Sequence, residues 1–188
     1  MTRGASVPHC RQPSSWSYSS AVSVCSCPPA TRPESRHKSL TRFVQHSRRG
    51  RLIGWTKGGV NSKLHTVADD LGRPLRMFLT AGQRSDYIGA RALLEGLPPA
   101  KHMLADRGYD ANWYREALEN TGITPCIAAR KGRKVPFPHD EVRYRKRQKI
   151  ENNFAQLKDW CRVATRYGKS PKVFLSACTL AALVMFWL

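Results

Sequence analysis

HMLADRGYD, His102 to Asp110, followed by ANWYREALENTG, Ala111 to Gly122, is the stretch that decides the fold class. Met103-Leu104-Ala105 is a short, uninterrupted apolar run of the kind a buried strand needs. Asp106 ends it, Gly108 lets the chain turn, and a helical pattern then runs to Asn120 before Gly122 closes it. A strand that feeds a helix is the unit of an α/β sheet, and open α/β sheets carry their chemistry at the carboxyl ends of their strands. Asp106 stands at such an end. Alone it is as well explained as a turn or cap residue. Asp110, just before Ala-Asn-Trp, is the better cap candidate, which leaves Asp106 available for another role.

A second acidic motif lies downstream in YRKRQKIENNFAQLK, Tyr144 to Lys158. It has the order Tyr-x2-Arg-x3-Glu-x6-Lys. On a helix, Arg147, Glu151 and Lys158 fall at offsets of four and seven and share one face. A carboxylate flanked by cations suits a metal ion holding a phosphodiester, with Glu151 on the metal and Arg147 and Lys158 on phosphate oxygens. A basic surface helix with one ordinary ion pair is the plainer alternative.

Together these motifs resemble the DDE superfamily of insertion-sequence transposases, in the family founded on insertion sequence five. The resemblance rests on Asp-Arg-Gly-Tyr-Asp at Asp106 to Asp110 and on the Tyr-Arg-Glu-Lys series from Tyr144 to Lys158. GWTKGGVNSKLHTVADDLGRPL from Gly54 resembles the family's Gly-rich opener with Lys-x-His. TAGQRSD, Thr80 to Asp86, and Arg162 to Tyr167 resemble two further phrases, so the likeness runs from about Leu52 to Leu188. It implies a ribonuclease-H-like α/β fold, a mixed sheet with flanking helices, holding two divalent metals between three carboxylates. Carried over by position, Asp106 is the second carboxylate and Glu151 the third, both as metal ligands, with Tyr144, Arg147 and Lys158 orienting the DNA end. Mg2+ (or Mn2+) is the implied ion. The implied partners are double-stranded DNA, at transposon ends and target, and further copies of the chain on that DNA. No membrane partner is implied, and the expected place is the bacterial cytoplasm, at the nucleoid.

The first carboxylate is not found. Residues 1 to 68 contain no Asp, and Glu34 is their only acidic residue. Residues 1–50 are rich in Ser, Pro, Arg and Cys, without sustained alternation or a helical stripe, and are expected to be disordered or out of family. The expected domain is 51–188, a partial catalytic domain, with the transposase frame rejoined near residues 40 to 52 after a frame change or truncation. Asp69 and Asp70 precede Leu-Gly-Arg-Pro and read as hairpin-turn residues rather than substitutes.

Charge points the same way. The 188 residues carry 32 Lys and Arg against 13 Asp and Glu, a formal net charge of +19, which favours a polyanionic partner. Outside the first 68 residues the excess is concentrated in ARKGRKVPFPHDEVRYRKRQK, Ala129 to Lys149, immediately before Glu151. Lys131, Arg133, Lys134, Arg145 and Lys146 are therefore candidate DNA contacts, beside Tyr144 and Arg147. The six cysteines include no Cys-x2-Cys pair, which argues against a zinc ribbon and for buried free thiols. His65 reads as a strand residue rather than a ligand.

The predicted order is an antiparallel pair (Ser62 to Ala68, Pro74 to Thr80), a helix (Tyr87 to Gly96), the Met103 to Asp106 strand, and a helix from Ala111 to Asn120. A strand (Ile123 to Ala128), a basic loop over 130 to 140 and helices over Glu141 to Trp160 and Lys172 to Leu188 complete it. VFLSACTLAALVMFWL is short for a bilayer span and is expected to be a core helix, burying Leu180, Leu183, Val184 and Trp187 on one stripe. The sheet lacks its first strand, the expected neighbour of the Asp106 strand. Three outcomes stay open: a transposase that cuts and joins DNA, a DNA-binding product without cleavage, and a defective reading frame.

Overall fold

A computed structural model describes residues 24–25, 52–57, 59–164 and 170–188. Strand β1 is Val24–Cys25, β2 is Gly54–Thr56, β3 is Gly59–Asp69 and β4 is Pro74–Ala81. The predicted hairpin is β3 against β4, antiparallel from Ser62↔Ala81 to Ala68↔Pro74. Asp69 makes its turn: the carboxylate accepts from the Leu71 amide (3.0 Å), the Arg73 amide (2.8 Å) and Arg73 Nε (2.7 Å). That side chain is consumed by the turn, as its sequence context requires.

Helix α1 (Asp86–Leu94) is capped by Ser85, whose Oγ accepts from the Tyr87 amide. Strand β5 (His102–Ala105) leads through a 3-10 turn, Arg107–Tyr109, into α2 (Asn112–Asn120). Gly122, at φ 77°, ends α2 in a Schellman arrangement, the Ile123 amide donating to Leu118 O and the Gly122 amide to Glu119 O. Strand β6 (Thr124–Ile127) then lies parallel to β5. Helices α3 (Glu141–Arg145), α4 (Gln148–Asp159), α5 (Cys161–Ala164) and α6 (Pro171–Phe186) follow. The chain is thus a mixed α/β protein.

The strands are buried on both faces. Val67, Met103 and Ala105 pack with Ala90, Leu93 and Leu118 of α1 and α2. Leu64, Ala68 and Leu104 pack the other way, with Ile150, Phe154 and Leu157 of α4 and Phe174, Cys178 and Ala181 of α6. Double burial is why β5 reads as an unbroken apolar run instead of an alternating one. Among the described residues β5 hydrogen-bonds only to β6, and this pair is a sheet separate from the β3–β4 hairpin. Val24–Cys25 pairs parallel with Ala68–Asp69 and also lies close to β5. The expectation of disorder for residues 1–50 otherwise falls outside the described residues, as does the second half of the Arg162–Tyr167 phrase.

Three local expectations are corrected. The Glu141–Trp160 helix is two helices, α3 and α4, broken at Lys146–Arg147, where the Arg147, Lys149 and Ile150 amides bond to carbonyls three residues back. No residue of α3 is buried and the apolar stripe begins only at Ile150, so packing holds α4 straight and leaves α3 to turn. Asp110 does not cap α2, whose first turn starts at Ala111 without a side-chain cap; Asp106 instead caps the 3-10 turn. In α6 the buried face is Phe174, Cys178, Ala181 and Ala182, while Leu180, Leu183, Val184 and Trp187 face outward. A helix apolar all round has no period to read, and its small residues pack closest to the sheet. Trp187 is half-covered, its indole N–H donating to Pro74 O at 3.2 Å beneath the Arg73 guanidinium. No helix of the described residues is long and apolar enough to cross a membrane.

Candidate active site

Asp106 leaves the end of β5 as the sequence predicts. Its Oδ1 accepts from the Arg107 amide at 2.7 Å and its carbonyl from the Tyr109 amide at 2.9 Å, so the carboxylate is fixed by the turn it starts. That turn is held from below. The Tyr109 hydroxyl is 2.7 Å from His65 Nδ1, and His65 Nε2 is 2.8 Å from Thr80 Oγ1, all fully or almost fully buried. The His65 ring stacks on Phe78 at 4.7 Å. Burial pushes its pKa down to about 4, with Lys63 adding to the fall and Asp86 opposing it, so the ring is neutral at ordinary pH. At Gly108 a Cβ would come within 2.6 Å of Asp86 Oδ2, and Asp86 is paired with Lys63 at 2.9 Å. Lys-x-His and TAGQRSD are therefore the underside of the Asp106 turn.

Asp110, at the other end of the turn, faces inward. Its fully buried carboxylate accepts from Arg115 Nε (3.0 Å) and Nη2 (2.9 Å) and from the Arg130 amide (2.9 Å), and pairs with Arg133 at 2.9 Å. Burial works to raise its pKa, but the Arg130 amide and the two guanidinium groups outweigh it and hold the carboxyl below the usual range. Sequence reading missed this cluster, as it missed the His65–Tyr109–Thr80 chain. His65 and Tyr109 did stand inside phrases already singled out; Arg115 carried no signal of its own.

Helix α4 supplies the second acidic residue. It is stapled to the β3–β4 turn, Asn153 Nδ2 donating to Gly72 O at 2.7 Å and Lys149 Nζ to Asp70 O at 2.5 Å. Arg147 pairs with Glu151 one turn on, and its guanidinium lies 5.5 Å from the centre of the Tyr144 ring. His139 meets the other edge of that ring at 5.2 Å. The Tyr144 hydroxyl is pushed above its usual range first by burial; Asp106 and Glu151 add to the rise, while Arg147 and Arg107 oppose it. Tyr144 thus feels both acidic motifs at once. Lys158 lies two turns beyond Glu151, its ammonium lowered by burial, and Lys131, Lys134, Arg145 and Lys146 are exposed. Arg133 is mostly covered, and its guanidinium points inward to Asp110.

The family described as Transposase DDE domain matches residues 30–187. The chain belongs to the DDE transposase family. This chain is 35% identical over 130 residues to a Brucella ovis protein named as a transposase for insertion sequence element IS6501, covering 69% of this chain and 99% of that one. It is 29% identical over 174 residues to a Burkholderia cepacia protein named as a transposase for insertion sequence element IS402, covering 82% of this chain and 79% of that one. No solved structure matches. Membership of the insertion-sequence transposases, inferred above from motifs, is thereby established.

A DDE transposase domain uses divalent metal. Whether the described residues fit two such ions is a question of donors. The charges of Asp106 and Glu151 both raise the Tyr144 hydroxyl, but no group of three or more His, Cys, Asp or Glu gathers at metal-binding range among the described residues. Asp69 is committed to its turn. Among the described residues no donor set for two metal ions is therefore assembled.

Proposed function

We propose that this transposase engages the DNA ends of its insertion sequence at the Asp106–Glu151 site and, as the present polypeptide, binds them without cutting. The reading is supported by the family match over residues 30–187, by Asp106 held in its turn at the end of β5, and by Arg147 seated between Tyr144 and Glu151. Asp106 and Glu151 are the acidic pair for the scissile phosphate and the ligands of Mg2+ (or Mn2+). Tyr144, Arg147 and Lys158 orient the DNA backbone, and the exposed cations Lys131, Lys134, Arg145 and Lys146 hold the flanking duplex. When bound, a divalent ion supplies Lewis-acid stabilisation of charge on the phosphate oxygens. Arg147, paired with Glu151 one turn on, is placed to reach a phosphate oxygen beside that carboxylate.

The arrangement supports a ribonuclease-H-like core within residues 51–188: a hairpin, two parallel strands, α1 and α2 on one face and α4 and α6 on the other. Double-stranded DNA is the partner, met by a homo-oligomer at the transposon ends and target, in the bacterial cytoplasm at the nucleoid. Strand cleavage and transfer by two-metal phosphodiester chemistry is the reaction such a site is laid out for. Its first carboxylate is the one not found, since residues 1 to 68 contain no Asp.

The test is cleavage of a labelled duplex carrying the element's own ends in Mg2+ or Mn2+, with the native chain beside its Glu151→Gln variant. DNA binding by both without cleavage by either is the expected result. Cleavage by the native chain alone would supply the missing carboxylate from elsewhere and overturn the non-cutting reading. Absence of binding by a folded native chain would overturn the DNA reading itself.

A further inference from the structure

Among the cations assigned to DNA, Arg133 is anomalous. Its guanidinium is mostly covered and spends its donors internally, on Asp110, Val135 O and Asn112 Oδ1. It also rests on the Phe137 ring at 4.4 Å, where Arg115 lies at 4.6 Å. Residues 130–133 form a turn, the Arg133 amide donating to Arg130 O at 3.1 Å. Both ends of that turn return to one carboxylate: Asp110 Oδ2 takes the Arg130 amide, and Oδ1 pairs with Arg133. Asp110 is fixed from the other side by Arg115, which also donates to Ile127 O at the end of β6 (2.7 Å). The Arg130 side chain is tied off as well, to the Tyr87 hydroxyl and over the Tyr87 ring at 5.5 Å. The exposed cations that remain on this loop are Lys131 and Lys134.

We propose that Asp110 is the buried anchor of a preformed phosphate clamp, in which Lys131 and Lys134 touch the DNA backbone and Arg130 and Arg133 shape the loop. This rests on the reading of the chain as a DNA binder and divides its cations into contacts and supports. Surface loops rich in Lys, Gly and Pro ordinarily pay conformational entropy when they bind. Here the ordering is completed within the protein, on a carboxylate that has lost its water and gained two guanidinium partners and an amide. The arrangement also explains the second Asp of DRGYD. It follows Asp106 by one short turn, so the acidic site and the cationic clamp share one rigid segment.

Two measurements on the full chain separate anchor from clamp. The first is limited trypsin digestion, read by mass spectrometry as the rate of cutting after Lys131 and Lys134. The second is anisotropy of a fluorescent DNA duplex carrying the element's ends, across a salt series. Asp110→Asn and Arg133→Gln are expected to raise the loop cleavage rate about tenfold. Both weaken DNA binding at every salt concentration by a similar factor and leave the salt slope alone. Lys131→Ala with Lys134→Ala is expected to lower the slope of log affinity against log salt by about 1.8, two phosphate contacts at about 0.9 each.

A salt slope reduced by Arg133→Gln makes Arg133 a DNA contact and overturns the division. Unchanged cleavage in both anchor variants overturns the anchor. An unchanged slope in the double Lys variant overturns the clamp. Should Asp110→Asn fail to give a native circular dichroism spectrum, Arg133→Gln alone carries the test, since it leaves the Asp110–Arg115 pair intact. A native chain with a protected loop and no affinity for the duplex rejects the clamp and the DNA reading while leaving the anchor standing.

Discussion

His65 makes stability depend on pH in a direction that can be worked out beforehand. Buried against Phe78 and bonded to Tyr109 and Thr80, it has a pKa of about 4 in the folded chain, against 6.5 for an unperturbed imidazole. Folding therefore prefers the neutral ring. Above the unfolded value both states are neutral and the preference has no effect on stability. Below it the unfolded chain takes a proton that the folded chain refuses, so stability falls with pH until the folded value is passed. Between about pH 7.5 and about pH 5 these two values imply a loss of about 2 kcal/mol from His65 alone. His102 is shifted the same way, by burial and then by Arg143, and adds to the total; Asp110 and Asp140, held below the usual carboxylate range, titrate beneath this window. The assay is urea unfolding by tryptophan fluorescence at both pH values, for the native chain and for His65→Asn. The variant is expected to be less stable throughout, yet to lose about 2 kcal/mol less on acidification. Equal losses in the two proteins would refute the buried neutral imidazole and, with it, the His65 support under the Asp106 turn.

Other outcomes follow from burial and bonding. Asn153→Ala removes the donor that joins α4 to Gly72 O and is expected to cost about 1–2 kcal/mol in urea unfolding, at the low end because its own Oδ1 has no partner to lose. Leu118→Ala, on the buried face of α2, should cost about 3 kcal/mol, whereas Leu183→Ala on the outer face of α6 should cost no more than about 0.5 kcal/mol. Equal costs for the two leucines would mean that the outer face of α6 is covered in solution.

Local signals made most of the fold legible. An Asp-rich turn between two apolar runs gave the hairpin, and Gly122 placed the end of α2. The uninterrupted run at Met103 to Ala105 gave a strand buried on both faces. What escaped was long-range or degenerate. His65 meets Tyr109 across 44 positions, and no periodicity announces a polar pair buried between two elements. Arg115 reads as an ordinary helix residue until Asp110 is seen to turn inward. Helix α6 was legible as a helix but not in its facing, because nearly every position is apolar. The break before α4 was hidden for the opposite reason: cations fill Arg143 to Lys149, and neither face is marked. At the site, Asp106 and Glu151 stood out from the strand end and the helix spacing, while their pairing as second and third carboxylates came from resemblance.

One strip of the molecule bears on folding and chemistry alike. Strand β5 is buried on both faces, with Met103, Leu104 and Ala105 almost wholly covered, yet among the described residues only β6 pairs with it. Were its other side open, backbone donors and acceptors would lack partners and the sheet that holds Asp106 would be weaker. The same side is where a neighbouring strand would bring a further side chain up to Asp106. The backbone of Val24–Cys25 pairs with β3 and lies close to β5. The identity of that strand therefore decides two things at once, how firmly β5 is held and whether the acidic pair gains a third member. The buried supports of the Asp106 turn come from β3, β4 and α1 and do not depend on it. The clamp anchored on Asp110 draws on α2, β6 and the basic loop, and is equally independent.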